Sequence, residues 1–155
     1  MAVKAKPEGY HSVTPYLIVR GGARAIDYYK AAFGAIEIMR LDAPGDKIGH
    51  AEIKIGDSII MLADENPEWG AKSADAYGGS PVHLMFYVDD CDTVFKQAIK
   101  AGGKEVQPLK DQFYGDRSGT LIDPFGHQWT IGTHKEDVSP EEIKRRMAAE
   151  MHQSA

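Results

Sequence analysis

The sequence predicts an α+β protein of two tandem βαβββ modules, with mixed sheets curved around a central cavity, followed by a C-terminal helix. One observation is an internal repeat: the two halves of the 155-residue chain align at a shift of 69 residues, which places 14 on 83. A second is that a helical spacing of apolar residues in each half ends at glycine. A third is that each helical pattern gives way to three short strand patterns.

Each module is predicted to begin with an apolar strand. In module 1, about residues 12–64, this strand is Thr14–Val19, and in module 2, about residues 80–134, it is His83–Val88. Both segments are rich in β-branched or aromatic residues and are short enough to be strands. Together the two modules are predicted to form one domain over residues 12–134.

A helix is predicted next in each module. Apolar residues recur every three or four positions over residues 25–33 and again over residues 94–101. The first pattern ends at Gly34 and the second at Gly102 and Gly103, as expected where a helix closes with a left-handed residue.

Three strands are predicted after each helix. In module 1 the chain between the last two of these strands breaks at Gly56-Asp57, as in a hairpin. In module 2 it breaks at Asp123–Gly126, where aspartate, proline and glycine favour a tight turn through side-chain capping, a fixed φ and a permissive φ, respectively. The segment Asp64–Ser80 between the modules is predicted to be a loop. The predicted strands are Ile36–Leu41, His50–Ile55, Ser58–Ala63, Glu105–Leu109, Gly119–Ile122 and Gln128–Thr133.

The tail, residues 135–155, is predicted to be helical. Ser139-Pro140-Glu141-Glu142 supplies a cap, a proline in the first turn and a glutamate three residues after the cap. An apolar stripe on this helix is expected to dock on the protein's own surface, with a second subunit as the alternative. Its members are Ile143, Met147 and Met151.

Alternation along the strands predicts which side chains face the cavity. In His50–Ile55 the apolar residues pack on the helix, which leaves His50 and Glu52 on the opposite, free face. The same argument puts Tyr16, His83, Met85 and Tyr87 on free faces and Trp129 in the core. Trp69 could cover the cavity, and His127 and His134 are expected to be exposed.

Composition excludes several classes of protein. The formal net charge of −5 argues against a nucleic-acid surface, which needs a basic face. A single cysteine, Cys91, rules out an internal disulfide and a thiolate zinc site. No apolar run approaches the length of a membrane span, and Met1–Lys6 lacks a signal-peptide core, so we expect no membrane association and a cytoplasmic location.

Several segments carry a resemblance to a known family. Ala25–Gly34 and Asp123–His127, within the paired modules, resemble the vicinal oxygen chelate superfamily, which includes glyoxalase I, bleomycin-resistance proteins, fosfomycin-resistance enzymes and extradiol dioxygenases. Gly115–Leu121 together with Thr14–Leu17 is most similar to its PhnB-like branch. The resemblance covers roughly residues 12–134 and implies paired modules, dimers and a small-molecule cavity, but no single activity.

The resemblance also implies four metal positions: the first and last strands of each module. Carried onto this chain they are Thr14, Met61, His83 and Thr130, and only His83 is a good ligand. The sequence therefore predicts no metal cofactor. The alternative is a displaced site for Zn, Ni, Fe or Mn made by His50, Glu52 and His83.

The predicted function is the binding or sequestering of a small organic ligand by a homodimer, without the usual metal. The alternative is a metal-dependent lyase, isomerase or dioxygenase, and a metal-free enzyme with His83 or Glu52 as general base also stays open. Arg117 could clamp a carboxylate or phosphonate, or form a structural turn with Asp116. The candidate ligand-binding residues are Tyr16, His50, Glu52, Met61, His83, Met85, Tyr87, Tyr114 and Arg117.

Overall fold

A computed structural model describes residues 3–153. Residues 1–2 and 154–155, the ends of the predicted N-terminal segment and tail, lie outside the described residues. Module 1 contains β1 (Tyr16–Val19), α1 (Gly22–Phe33), β2 (Ile36–Ala43), β3 (Lys47–Ile55) and β4 (Ser58–Asp64). Module 2 contains β5 (His83–Tyr87), α2 (Cys91–Ala101), β6 (Lys104–Asp111), β7 (Asp116–Ile122) and β8 (Gln128–His134), and the tail contains α3 (Pro140–Gln153).

Each module folds as a four-stranded mixed sheet with the same topology. The strand orders are β1-β4-β3-β2 and β5-β8-β7-β6, and the first strand of each module runs parallel to its last. Tyr16 pairs with Met61 in module 1, and Met85 pairs with Thr130 in module 2. The 69-residue shift maps the first of these pairs onto the second, so the strand register supports the repeat. The predicted α+β class with two tandem modules and a C-terminal helix is confirmed.

The repeat extends to the way each helix begins. In module 1 the Asp64 carboxylate accepts hydrogen bonds from the backbone N–H groups of Gly21, Gly22 and Ile48 at 2.7–3.0 Å. In module 2 the Thr133 hydroxyl accepts from the backbone N–H of Cys91 at 2.9 Å. Both acceptors stand at or next to the end of the last strand, and the N–H groups of Gly21, Gly22 and Cys91 are at the starts of the helices, where a helix leaves them unpaired.

One core joins the two modules. The ring of Phe33, at the end of α1, lies 4.7 Å from that of Trp129 and 5.5 Å from that of Phe86, both in module 2. Trp129 is 2% exposed, which confirms the prediction that it is a core residue. The hydroxyl of Tyr29 in α1 donates to Asp123 in module 2 at 2.6 Å. The helix-facing sides of both sheets therefore share one apolar interior.

The free faces of the sheets point outward from this interior. Tyr16 on module 1 is 48% exposed, and Met85 and Tyr87 on module 2 are 44% and 57% exposed. Apolar side chains of β2 on the same side are also open to solvent, including Ile36 and Leu41. Such an apolar face is costly to leave in water, and two sheets joined through their helices do not cover it within one chain.

Three local expectations are corrected. The segment between the modules contains two short 3-10 turns, Pro67–Trp69 and Ala74–Tyr77, rather than loop alone. Asp116 begins β7, so Asp116 and Arg117 lie in a strand and not in the structural turn that was one of the two expectations for them. His127 is buried, not exposed, because it follows the turn that packs against module 1, where its Nε2 lies 3.2 Å from the carbonyl oxygen of Ile18.

The tail helix begins as predicted but does not bury its stripe. The hydroxyl of Ser139 accepts from the backbone N–H of Glu142 at 3.2 Å. Met147 and Met151 are nevertheless 48% and 65% exposed, so the expected docking on the chain's own surface is wrong for these residues. The helix is held instead by Arg146, which donates to Glu136 and to a backbone carbonyl. None of the helices within residues 3–153 is both long and apolar enough to cross a membrane.

Candidate functional site

Three predicted site residues meet on the free face of module 1. The hydroxyl of Tyr16 in β1 lies 2.8 Å from Nδ1 of His50 in β3, and Nε2 of His50 lies 3.4 Å from Oε1 of Glu52. His50 and Glu52 are two positions apart on one strand, so both side chains project to the same side. The side chains of His50 and Glu52 are 24% and 14% exposed. The face therefore presents a carboxylate, an imidazole and a phenol in a row.

Tyr10 adds a second phenol to this row. It follows a turn in which its backbone N–H donates to the carbonyl oxygen of Pro7 at 3.3 Å, and this turn carries the N-terminal segment over the sheet. The hydrogen bond to Glu52 is the main cause that raises the pKa of Tyr10 to about 12, followed by burial and the charge of Glu52. Sequence reasoning missed Tyr10 because it precedes the first strand and carries no periodic signal.

Two cavities flank the row. One, of about 800 Å³, is lined by Tyr16 and by Trp69 from the segment between the modules, with apolar walls from Ile18 and Ala63. The other, of about 520 Å³, lies beneath the N-terminal segment and is lined by residues that include Glu52 and Met61. Burial raises the pKa of Tyr16, which keeps its hydroxyl protonated. Both volumes suit a small organic molecule.

The free face of module 2 is built differently. His83 begins β5, is exposed, and its Nδ1 lies 3.1 Å from the side-chain amide of Gln128 on the neighbouring strand. Thr130 lies opposite Met85, and its hydroxyl is 3.0 Å from that of Thr120. No acidic partner stands beside His83 in these contacts. The face offers hydroxyl and amide groups with apolar side chains between them.

A second polar row lies at the far end of that face. The Tyr87 hydroxyl donates to Oδ2 of the buried Asp116 at 2.7 Å, and Nδ1 of His134 lies 2.7 Å from Oδ1 of the same carboxylate. Nε2 of His134 lies 2.8 Å from Asp137 in the tail. Asp116 first, and then Asp137, raises the pKa of His134 above its ordinary value. Tyr114 lines the cavity of about 470 Å³ beside this row.

We expect stability to depend on pH through His134. Because its folded pKa is raised above the ordinary value of 6.5, its ion pairs contribute fully below that pH and lose their contribution as pH rises through the raised pKa. His134→Gln should therefore lower the free energy of unfolding more at about pH 6 than at about pH 9, measured by urea unfolding.

Tyr87→Phe is the matched control, since it removes the other donor to Asp116. In the wild type the pKa of Tyr87 is raised to about 12, chiefly by the hydrogen bond to Asp116. Tyr87 therefore stays protonated from about pH 6 to about pH 9, and the loss of stability in Tyr87→Phe should not change over this range. An equal effect of His134→Gln at both pH values would contradict the prediction.

The structure corrects the role suggested for Arg117. Alternation along β7 puts Arg117 on the helix side of the sheet, where its guanidinium donates to both carboxylate oxygens of Asp92 at 2.7 and 2.9 Å and to Asp111 at 3.3 Å. These hydrogen bonds raise its pKa further. Arg117 thus links α2 to the β6–β7 edge and does not line the free face.

The four family metal positions do not form a donor set that fits a metal. Thr14, Met61 and Thr130 offer two hydroxyls and a thioether, and Thr130 already shares a hydrogen bond with Thr120. His83 lies on the other module from Thr14 and Met61. Hydroxyl and thioether groups are poor ligands for the oxygen- and nitrogen-preferring divalent metals.

The residues of the alternative, displaced metal site are also split between the two modules. His50 and Glu52 lie on the sheet of module 1 and His83 on the sheet of module 2. Within the described part of the chain, no three histidine, cysteine, aspartate or glutamate side chains are grouped so that they could hold a metal ion.

Comparison with known proteins agrees with this architecture. The model of the Glyoxalase/Bleomycin resistance protein/Dioxygenase superfamily matches residues 9–131. The uncharacterized protein Rv0887c of Mycobacterium tuberculosis is 38% identical over 153 residues, which cover 97% of this chain and 88% of that protein.

Solved structures share the fold. TioX from Micromonospora sp. ML1 is 28% identical with a TM-score of 0.63, over 80% of this chain and 98% of that one. A PhnB protein from Bacillus cereus is 20% identical with a TM-score of 0.60, over 79% of this chain and 99% of that one. The resemblance predicted from the sequence is confirmed, and the chain belongs to the Glyoxalase/Bleomycin resistance protein/Dioxygenase superfamily.

Proposed function

We propose that this protein binds a small organic ligand on the free face of module 1 and uses no metal to do so. The observation that carries the proposal is the cavity of about 800 Å³, which combines the apolar walls of Ile18 and Ala63 with the hydroxyl of Tyr16. A largely apolar pocket with a few converging polar groups is the usual form of a small-molecule site. The candidate contacts nearest to it are His50 and Glu52, which stand behind Tyr16.

The chemistry of the metal positions supports binding in preference to metal-dependent catalysis. A metal-dependent lyase, isomerase or dioxygenase would need nitrogen or carboxylate donors where this chain has Thr14, Met61 and Thr130. The alternative site of His50, Glu52 and His83 would require a metal to join residues from two different sheets. An elemental analysis for such a site would cover Zn, Ni, Fe and Mn.

The test has two measurements on the purified protein. Elemental analysis should find no tightly held divalent metal at stoichiometric amounts, and thermal shift against a panel of drugs and metabolites should find ligands that raise the Tm. Ile18→Asp puts a charge on the cavity wall and should abolish the Tm shift, whereas Ile143→Asp on the tail helix should leave it unchanged. About one metal ion per chain would overturn the metal-free proposal, and shifts that persist in Ile18→Asp would overturn the location.

We further propose that the protein is a homodimer in which free faces are covered by a second copy. The exposed apolar side chains of β2, Ile36 and Leu41, support this, because they stand on the same side as His50 and are costly to leave in water. Light scattering should give twice the chain mass. Leu41→Asp should give a monomer, whereas Met151→Asp on the tail should not. A monomeric wild type would refute the proposal, and dissociation by Met151→Asp alone would move the interface to α3.

A further inference from the structure

We propose that Tyr16, His50 and Glu52 form a metal-free proton relay that binds a weakly acidic hydroxyl compound, a phenol or an enol, as its anion. This deepens the function proposed above and rests on ligand binding in the cavity that Tyr16 lines. The class of ligand follows from three features of the row: the direction of its hydrogen bonds, the position of Tyr16 at the cavity, and the negative charge of Glu52 at the opposite end.

The hydrogen-bond order fixes which ring nitrogen carries the proton. A carboxylate only accepts hydrogen bonds, so Nε2 of His50, 3.4 Å from Glu52, carries the hydrogen. In the neutral imidazole this leaves Nδ1 as the acceptor, and the Tyr16 hydroxyl at 2.8 Å donates to it. Glu52 and His50 are thus positioning residues for the phenol, which is the group that a ligand would touch.

Tyr16 gives access to the row from the cavity of about 800 Å³, whereas Glu52 lines the cavity of about 520 Å³. Tyr16 is 48% exposed, whereas the side chains of His50 and Glu52 are 24% and 14% exposed. Because the hydroxyl hydrogen points to His50, the oxygen of Tyr16 is left to accept a hydrogen bond from the cavity side. A ligand with a hydroxyl donor satisfies that oxygen, and the apolar walls of Ile18 and Ala63 with the indole of Trp69 suit a flat ring behind it.

The negative charge of Glu52, at the end of the row opposite Tyr16, favours transfer of the ligand's proton into the row. The ligand hydroxyl gives its proton to the Tyr16 oxygen, while the phenolic proton of Tyr16 passes to Nδ1 of His50. The ligand has lost one proton, His50 has gained one, and Tyr16 ends as it began, now donating to the ligand anion. Glu52 stabilises the imidazolium that forms. Burial raises the pKa of Tyr16, so the phenol passes the proton on and does not keep the negative charge itself.

The experiment uses p-nitrophenol, whose anion and neutral form absorb at different wavelengths, with the full-length protein. Binding is measured by equilibrium dialysis and ionisation by the absorbance of the bound probe, across a pH series. In the wild type we expect the ratio of anion to neutral probe to be about 10-fold higher when bound than when free at the same pH. His50→Gln should bind the probe but lose this increase, and Tyr16→Phe should lose both the increase and part of the binding.

His152→Gln, on the exposed tail helix, is the matched control and should behave as the wild type. Circular dichroism confirms that each variant is folded before it is scored. A probe that binds without extra ionisation, or that ionises equally in His50→Gln, would overturn the relay and leave the proposed binding function intact. Failure of p-nitrophenol alone, while panel ligands still bind, would also overturn the relay. Failure of every ligand would overturn both proposals.

Discussion

Replacing Asp123 with alanine is expected to lower the free energy of unfolding by about 4 kcal/mol. Asp123 is 3% exposed and stands in the turn before β8. Its Oδ1 accepts from the backbone N–H groups of Phe125 at 2.9 Å and His127 at 3.0 Å. Its Oδ2 accepts from the Tyr29 hydroxyl at 2.6 Å and the Trp129 indole at 2.9 Å.

The size of the effect follows from what alanine leaves behind. Four donors lose their acceptor at once, and an unpaired buried donor costs about 1–3 kcal/mol. The Tyr29 hydroxyl cannot ionise to adapt, since burial, the largest cause of its raised pKa, remains when the carboxylate is gone. The hydrogen bond between Tyr29 and Asp123 also joins α1 of module 1 to the turn before β8 of module 2. Its loss therefore weakens the contact between the modules as well as the turn.

Two further variants separate these contributions in urea unfolding. Tyr29→Phe removes one donor and keeps the carboxylate, and should cost about 1–2 kcal/mol. Asp123→Asn keeps an oxygen for the two backbone N–H groups but turns an amide N–H toward the Trp129 indole, and should fall between the other two. A loss below about 1 kcal/mol in Asp123→Ala would show that the turn and the union of the modules do not depend on this carboxylate.

The sequence anticipates the fold because the repeat and the strand alternation are local signals. A 69-residue shift relates Tyr16 and Met61 to Met85 and Thr130, and the observed register has the same pairs side by side. Burial of Trp129 also follows from alternation along one strand. Alternation needs only that a strand be extended with one side buried, which both modules satisfy.

Arg117 shows where the local signals fail. The sequence left Arg117 either as a clamp for a carboxylate or phosphonate or in a structural turn with Asp116, but β7 already begins at Asp116 and its alternation turns Arg117 toward α2. The strand was predicted to begin only at Gly119, and the same alternation carried back along β7 gives Arg117 the side of the buried Leu121. The ion pair with Asp92, 25 positions away in the chain, could not be read from spacing.

The sequence anticipated three members of the candidate site, Tyr16, His50 and Glu52, but neither Tyr10 nor the hydrogen bonds among them. Alternation predicts that His50 and Glu52 share a face, and the same argument for the first strand adds Tyr16. That Tyr16 bonds Nδ1, and that Tyr10 reaches Glu52, depend on how the first strand and the N-terminal segment cross β3. Hydrogen bonds between residues 34 positions apart, such as Tyr16 with His50, arise from the assembled sheet rather than from any local pattern.

Replacing Gly115 with alanine is expected to detach the tail from the body and to lower the free energy of unfolding by about 2–3 kcal/mol. Gly115 has φ 101, a conformation that side chains rarely adopt. Its carbonyl oxygen accepts from the backbone N–H groups of Lys135 at 2.9 Å and Glu136 at 3.0 Å. A Cβ atom there would collide with the backbone oxygen of Glu136 and come within 2.9 Å of Val138.

The collision, more than the backbone strain, should decide the outcome. Gly78→Ala is the matched control, because Gly78 also has a positive φ, 77, but a Cβ atom there meets nothing within 4 Å. That variant should cost about 1 kcal/mol and leave the tail in place. In Gly115→Ala the segment after β8 must move away, which also draws Asp137 from His134. Limited proteolysis should therefore cut near Lys135 faster in Gly115→Ala than in Gly78→Ala. Equal cleavage in the two variants would show that backbone strain alone, and not contact with the tail, makes glycine necessary at this turn.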